Sequence, residues 1–174
     1  MLGDLSVIGP QATQKVHVAA SATRYYAGEP MIQDSVTWTS GAASANVHTV
    51  AAIDCVVVGT DVFGGIAMGR ALPLDSGTLV AHTVNVAKPI PLMGRIRGNA
   101  ESAAAIDTDA ELLAIMQDMV LVDYDATGSP SSGPLYTIAA AAADTSAFQV
   151  IDGNTTKGTI DVTVVGNAYR FDFA

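Results

Sequence analysis

Thr108-Asp109-Ala110-Glu111-Leu112-Leu113-Ala114-Ile115-Met116-Gln117-Asp118-Met119-Val120-Leu121-Val122-Asp123-Tyr124 holds both structural signals that matter in this chain. Its first half has the capping-box pattern, a Thr whose hydroxyl accepts from the helix start and a Glu three residues on that reaches back. Leu112, Ile115, Met116 and Met119 then follow at helical spacing. Asp109 and Glu111 occupy the first turn, where the helix dipole favours anions. The spacing predicts a helix over about 108–118, too short to persist without packing on a sheet. The second half, Met119 to Tyr124, predicts a buried strand.

No other stretch makes a convincing helix, and outward from this one the chain breaks into short strands and turns. Val36-Thr37-Trp38-Thr39, Val47 to Val50 and Ile53 to Val58 are predicted strands. Phe63-Gly64-Gly65-Ile66-Ala67-Met68-Gly69 sets glycines inside an apolar strand, which marks a bulge or a close backbone approach. Leu79 to Val86 alternates, with Val80, His82, Val84 and Val86 on one face. Ile90 to Ile96 is predicted as a strand whose prolines, 89 and 91, place its start at an edge. Leu135 to Ile138, Phe148 to Ile151, Thr159 to Val165 and Ala168 to Phe173 follow. Gly166-Asn167 predicts a terminal hairpin between the last two. Ala139 to Ala143 is ambiguous, because alanine favours helix but five residues nucleate little. No period of 20–50 residues repeats. The expected fold is mainly β: an antiparallel barrel or sandwich with one short helix.

Residues 1–27 differ from the rest. Leu5, Val7 and Ile8 precede a Gly9-Pro10 break, and Arg24-Tyr25-Tyr26 joins a cation to two aromatics. This predicts an extended N-terminal arm, followed by a single β-rich domain over 28–174. Leu5, Val7, Ile8, Arg24, Tyr25 and Tyr26 are the candidate partner contacts. An arm held in water would forgo the burial of three apolar side chains, and arginine and tyrosine are enriched in interface hot spots.

Composition narrows the function classes. The chain has 174 residues, 8 Lys and Arg against 17 Asp and Glu, and a net charge of -9. Phosphate neutralisation requires clustered cations, and the densest place is Arg95 with Arg97, so nucleic acid and anionic membranes are not expected partners. Of the acids 14 are Asp and 3 are Glu, which suits turns and caps better than helix interiors. The apolar fraction of 49% excludes an acidic disordered tail. One cysteine, Cys55, permits no internal disulfide and reads as a small core residue. The first residues have neither a basic region nor a long apolar run, so no signal peptide is expected.

Catalytic and metal signatures are weak. His17, His48 and His82 have no zinc-ligand spacing. Asp123 to Gly128 copies the first half of a calcium loop, but the twelfth position is Pro134 instead of Glu. Gly59 to Gly69 lacks the Lys-Ser/Thr of a phosphate cradle, and no Gly-x-Ser-x-Gly elbow occurs. No enzyme, cofactor or metal is expected.

Three groups of strands carry a family resemblance: Gly28 to Ile32 with Ile53 to Gly59, Phe63 to Gly69, and Val120 to Tyr124 with Phe148 to Gly153 and Gly158 to Val164. Together, over roughly residues 28–165, they resemble the small β-barrel capsid decoration (cement) proteins of tailed bacteriophages. The resemblance implies a structural virion protein on the capsid exterior, made in the host cytoplasm. It further implies that the protein stabilises an assembled shell by binding the major capsid protein and itself, with a homotrimer favoured. The residues alone also allow a small-molecule- or glycan-binding β-barrel, with Trp38 and the tyrosines lining a pocket.

Overall fold

Apolar and polar residues alternate along 83–86, and the structure uses that alternation to line a barrel. In the computed structural model Val84 and Val86 point inward while Thr83 and Asn85 are exposed. The structure describes residues 5–18, 27–37, 45–50, 62–69, 82–90, 93–124, 136–143 and 147–165. These form strands β1 (Ser6–Ile8), β2 (Gln11–Val18), β3 (Pro30–Thr37), β4 (Ala45–Val50), β5 (Val62–Ala67) and β6 (His82–Pro89). Then come β7 (Arg95–Ala100), a single 3-10 turn, helix α1 (Asp109–Ile115), β8 (Met119–Tyr124), β9 (Tyr136–Ala142), β10 (Phe148–Asn154) and β11 (Thr159–Val164). The expected mainly-β fold with one short helix is what the chain adopts.

Strands β2-β4-β3-β5-β6 close a five-stranded barrel around Val16, Met31, Ala67, Val84 and Val86. The remaining strands make a six-stranded sheet in the order β1-β7-β11-β10-β8-β9. That sheet curls back on itself, since β9 also pairs with the far end of β7 at Asn99↔Thr137 and Ala100↔Ile138.

The two circuits have the same plan. In the barrel the first strand, β2, is parallel to the third, β4, and antiparallel to the fifth, β6. The second strand, β3, pairs antiparallel with both the third and the fourth, and the fourth pairs with the fifth. In the curled sheet, β7 is parallel to β9 and antiparallel to β11. There β8 pairs with β9 and β10, and β10 with β11, all antiparallel. The registers agree as well. His17 faces Thr83 and Val47, and Asn99 faces Thr159 and Thr137. Two residues earlier, Lys15 faces Asn85, and Arg97 faces Asp161. The chain thus repeats one five-stranded unit over about half its length.

Two features join the units. Phe63 of β5 meets Phe148 of β10 edge to face, with centroids 5.8 Å apart, and a single core cluster contains both. The chain also crosses between units twice, as β1–β2 and, antiparallel to it, β6–β7. Gln11↔Pro89 and Ile8↔Arg95 flank the crossing.

At this crossing the expected strand over Ile90–Ile96 is corrected. β6 runs on through Pro89 and β7 starts at Arg95, with Ile90, Met93 and Gly94 outside both strands and residues 91–92 outside the described residues. Gly94 and Met93 donate backbone N–H groups to the Ile90 carbonyl at 2.7 and 3.1 Å, and Ile90 donates to Pro10 O at 3.0 Å. These bonds replace a ladder that the apolar composition suggests.

The extended arm over 1–27 is also corrected. Within its described part, residues 5–18 are two sheet strands, β1 on β7 and β2 on β6. Leu5 is 3% exposed and packs over Gly98. Paired backbone and a buried Leu5 give this segment its burial inside the fold.

The ambiguous Ala139–Ala143 stretch is strand as far as Ala142, because β8 offers it an edge from Val122↔Ile138 to Val120↔Ala142. The glycine-bearing strand behaves as expected: Gly64 is bulged out between the pairs Met31↔Gly65 and Ile32↔Phe63. Gly65 sits at φ 122, and a Cβ there would come 3.0 Å from Ala87 O. The predicted strands at 53–58 and 168–173, and the turn of the terminal hairpin, lie outside the described residues. Over Thr159–Val162 both edges of β11 are already taken, by β10 and β7.

The helix is shorter than predicted, ending at Ile115 rather than about 118. Gln117 adopts φ 70 and donates its N–H to Val150 O at 2.9 Å, which turns the chain into β8. The capping box is complete, with Glu111 N donating to Thr108 Oγ1 at 3.3 Å and Thr108 N donating to the Glu111 carboxylate at 3.1 Å.

Candidate functional site at the junction of the two units

Inward-facing residues of the second unit are apolar: Ile96, Ile160, Val162, Phe148 and Val150 are all buried. The alternate residues of β7, β10 and β11 must therefore cover the outer face, and they are polar. Arg97 and Asp161 are cross-strand partners there, and Asp152 is the partner of Asp161 on the other side. The Asp161 side chain is fully buried beneath the two arginines. Arg97 donates Nε and Nη2 to its two oxygens at 2.6 and 2.8 Å, and Arg95 Nε stands 3.0 Å from Oδ2. Arg95 also donates Nη1 to Asp152 at 2.6 Å. Two cations and two anions thus form one neutral ladder across three strands.

The bond to Asp161 raises the Arg97 guanidinium above its ordinary value, securing its charge. The Gly153 N–H, 2.9 Å from Asp152 Oδ1, and then the Arg95 guanidinium hold the Asp152 carboxyl below the usual carboxylate range. At the helix start, Asp107 is raised by its bond to Glu111, whose own carboxyl is lowered chiefly by Thr108.

Beside the ladder a cleft of about 490 Å³ opens at the crossing between the units. It is lined by Ile8, Gly9, Met93, Gly94, Arg95, Gln149, Ile151 and Thr163. Met93 is 67% exposed and Ile151 37%, so apolar surface meets water at the rim. Gln149 is anchored, donating Nε2 to Gln117 O at 2.9 Å. The cleft offers apolar contact beside an arginine whose charge is already balanced. That arrangement suits docking rather than proton transfer.

Of the predicted contact residues, Ile8 reaches this cleft. Leu5 belongs to the core, and Val7 is half-buried against it. Arg24, Tyr25 and Tyr26 lie outside the described residues, as do Trp38 and Cys55. The sequence pairs Arg95 with Arg97 on one strand face but holds no sign of Asp152 and Asp161, which only register brings to them. No cluster of three or more His, Cys, Asp or Glu that could hold a metal occurs among the described residues. No helix among them is long and apolar enough to cross a membrane.

Comparison of the chain with protein-family models gives no match, and comparison with curated proteins gives none either.

Proposed function

We propose that the chain is a structural virion protein of a tailed bacteriophage that decorates the capsid exterior and reinforces the assembled shell. It binds the major capsid protein and further copies of itself, as a homotrimer on the shell. It does so without catalysis or cofactor and without contacting nucleic acid or membrane. The observation that carries this proposal is that four segments bearing the resemblance are strands of the two units: Phe63 to Ala67, Val120 to Tyr124, Phe148 to Gly153 and Thr159 to Val164. The neutral Arg–Asp ladder supports it, since it stiffens an outer face without a strong field. Co-sedimentation tests it: purified protein mixed with undecorated capsids pellets with them and raises their thermal or mechanical rupture threshold. Protein that stays in the supernatant at saturating concentration would remove the proposal.

A second proposal, a small-molecule- or glycan-binding β-barrel, is favoured by one feature. The cleft has the volume of a small-ligand site. Its rim is apolar and its polar groups, from Arg95, Gln149 and Thr163, are few and fixed. Glycan-array binding lost on Met93→Asp, with capsids ignored, would select this alternative.

A further inference from the structure

The repeated plan places a strand on one unit that the other lacks among the described residues. On β7, Ile96 and Arg97 pair with β11 on one side, and Arg95 to Arg97 pair with β1 on the other, through Ile8↔Arg95, Val7↔Ile96 and Ser6↔Arg97. Equivalence of His17 with Asn99 makes Thr13, Gln14 and Lys15 the matching residues of β2. These pair with β6 at Ala87, Val86 and Asn85. On the other side β4 joins β2 only at His17↔Val47. Among the described residues the outer edge of β2 over 13–15 therefore has no strand. Gln11, Thr13 and Lys15 are exposed along it.

Among the described residues β1 is itself the edge strand of its sheet, with β7 on one side only. Among the described residues, each copy thus carries one open acceptor edge, and one donor strand that fits the equivalent seat on β7. We propose that the β2 edge at Thr13–Lys15 receives β1 of a second copy of this chain, which then lies between its own β7 and the neighbour's β2. Edge strands present rows of N–H and C=O groups that recruit another strand, and strand addition satisfies both rows.

Charge favours the same contact. The chain carries -9 overall, so two copies repel over most of their surface. Residues 5–28, which include both edges, contain no Asp or Glu and two of the 8 Lys and Arg. Pairing β1 with β2 brings together Ser6, Val7 and Ile8 with Thr13, Gln14 and Lys15, and no like charges meet. Leu5 stays buried in its own core, so the donor strand need not leave its seat. The contact requires only purified protein, so its failure and the failure of the capsid proposal are separate results.

The test is disulfide trapping in the full chain with Cys55→Ala. A mixture of Ser6→Cys and Lys15→Cys proteins, the pair that Ser6↔Arg97 places face to face, should cross-link at least tenfold faster than a mixture of Leu113→Cys and Lys15→Cys. Sedimentation of the unmodified protein should show mass above the monomer, rising with concentration, and Thr13→Asp should lower it while the melting curve holds. If Cys55→Ala does not fold, the sedimentation pair decides alone. A monomer at every concentration would overturn the proposal. So would equal cross-linking of the two mixtures, or Lys15→Cys trapping chiefly with itself. Slow hydrogen exchange of the outward amides of 13–15 in the monomer would also overturn it, because the chain's own residues would then cover the edge.

Discussion

Asp161 is wholly buried and Arg97 grips both of its oxygens, at 2.6 and 2.8 Å, from the facing position on the neighbouring strand. A bidentate charge-assisted pair is strong and geometrically selective, yet a buried carboxylate is costly once its partner goes. Arg97→Met should therefore destabilise by about 3 kcal/mol, the low end for a broken buried pair because Arg95 remains and the arginines are one-third exposed. Replacing both, as Arg97→Met with Asp161→Leu, should recover most of that loss. Urea midpoints at unchanged slope measure it. A double variant no more stable than Arg97→Met would show that the ladder's worth lies in packing.

The crossing between the units depends on Gly94. A Cβ there would lie 2.2 Å from Pro10 O and 2.9 Å from Ile90 N, both backbone atoms that no rotamer change can move. Gly94→Ala should cost more than about 3 kcal/mol, in the diagnostic tail for single substitutions. At Gly98 the clashing atoms are the Leu5 and Ile138 side chains, so Gly98→Ala should cost about 1–3 kcal/mol as ordinary overpacking. Gly69, whose Cβ would meet, among the described residues, only Val84 Cγ2 at 3.6 Å, serves as the neutral comparison. Thermal melts that rank these three differently would contradict the close approach at the crossing.

How much of this was legible follows from where each signal resides. The box at Thr108 and Glu111 is local chemistry, so the sequence shows it outright. The alternation at Thr83, Val84, Asn85 and Val86 is equally local. The end of β6 at Pro89 is hidden because Ile90, Leu92 and Met93 are as apolar in sequence as a strand. It exists because Pro10 O and Gly94 meet across the crossing. Residues 5–8 suggest a free arm when β7, their partner, lies some ninety residues away. The repeat is invisible for a related reason. Lys15 and Arg97 hold one position, Asn85 and Asp161 another, and Val16 and Gly98 a third, so pairing is kept while side chains change. The ladder follows suit, since Asp152 and Asp161 reach the arginines only through register.

The contact between Phe63 and Phe148 sets whether the units unfold together. Both rings are fully buried, edge to face at 85°. Truncating either to Ala should cost about 3–5 kcal/mol. A double-mutant cycle should show a coupling of about 0.5–1.5 kcal/mol beyond burial. Two resolved calorimetric transitions in the unmodified protein, or a coupling near zero, would mean that the units melt independently.

Acid should weaken the outer face through Asp152. Its folded pKa is lowered, first by the Gly153 N–H and then by Arg95, so its contribution is present above the unfolded value of about 4 and disappears as pH falls through the folded value. Asp152→Asn should therefore be less stable than the unmodified protein at pH 6, and the gap should close as pH drops towards 2. The side chain is 52% exposed, so the gap stays within about 1 kcal/mol. A gap that widened on acidification would reverse the sign and exclude this carboxylate as the cause.

The helix offers the most local test. α1 has seven residues, too few to hold a helix without tertiary help. Ile115 is buried in the core, and Leu112 lies over Gly153, where an added Cβ would come 2.7 Å from Leu112 Cδ1. Packing thus secures one face, and the cap must satisfy the exposed first turn. Thr108 Oγ1 accepts from Glu111 N, while the Glu111 carboxylate accepts from both Thr108 N and Thr108 Oγ1. Thr108→Ala removes the acceptor and one anchor of Glu111 together, and should cost about 1 kcal/mol. Because the two residues act as one reciprocal unit, Glu111→Ala added to Thr108→Ala should cost less than Glu111→Ala alone. Thr108→Ser should keep most of the stability, since serine caps at least as well. Equal denaturation midpoints for Thr108→Ala and the unmodified protein would show that Leu112 and Ile115 hold the helix without its cap.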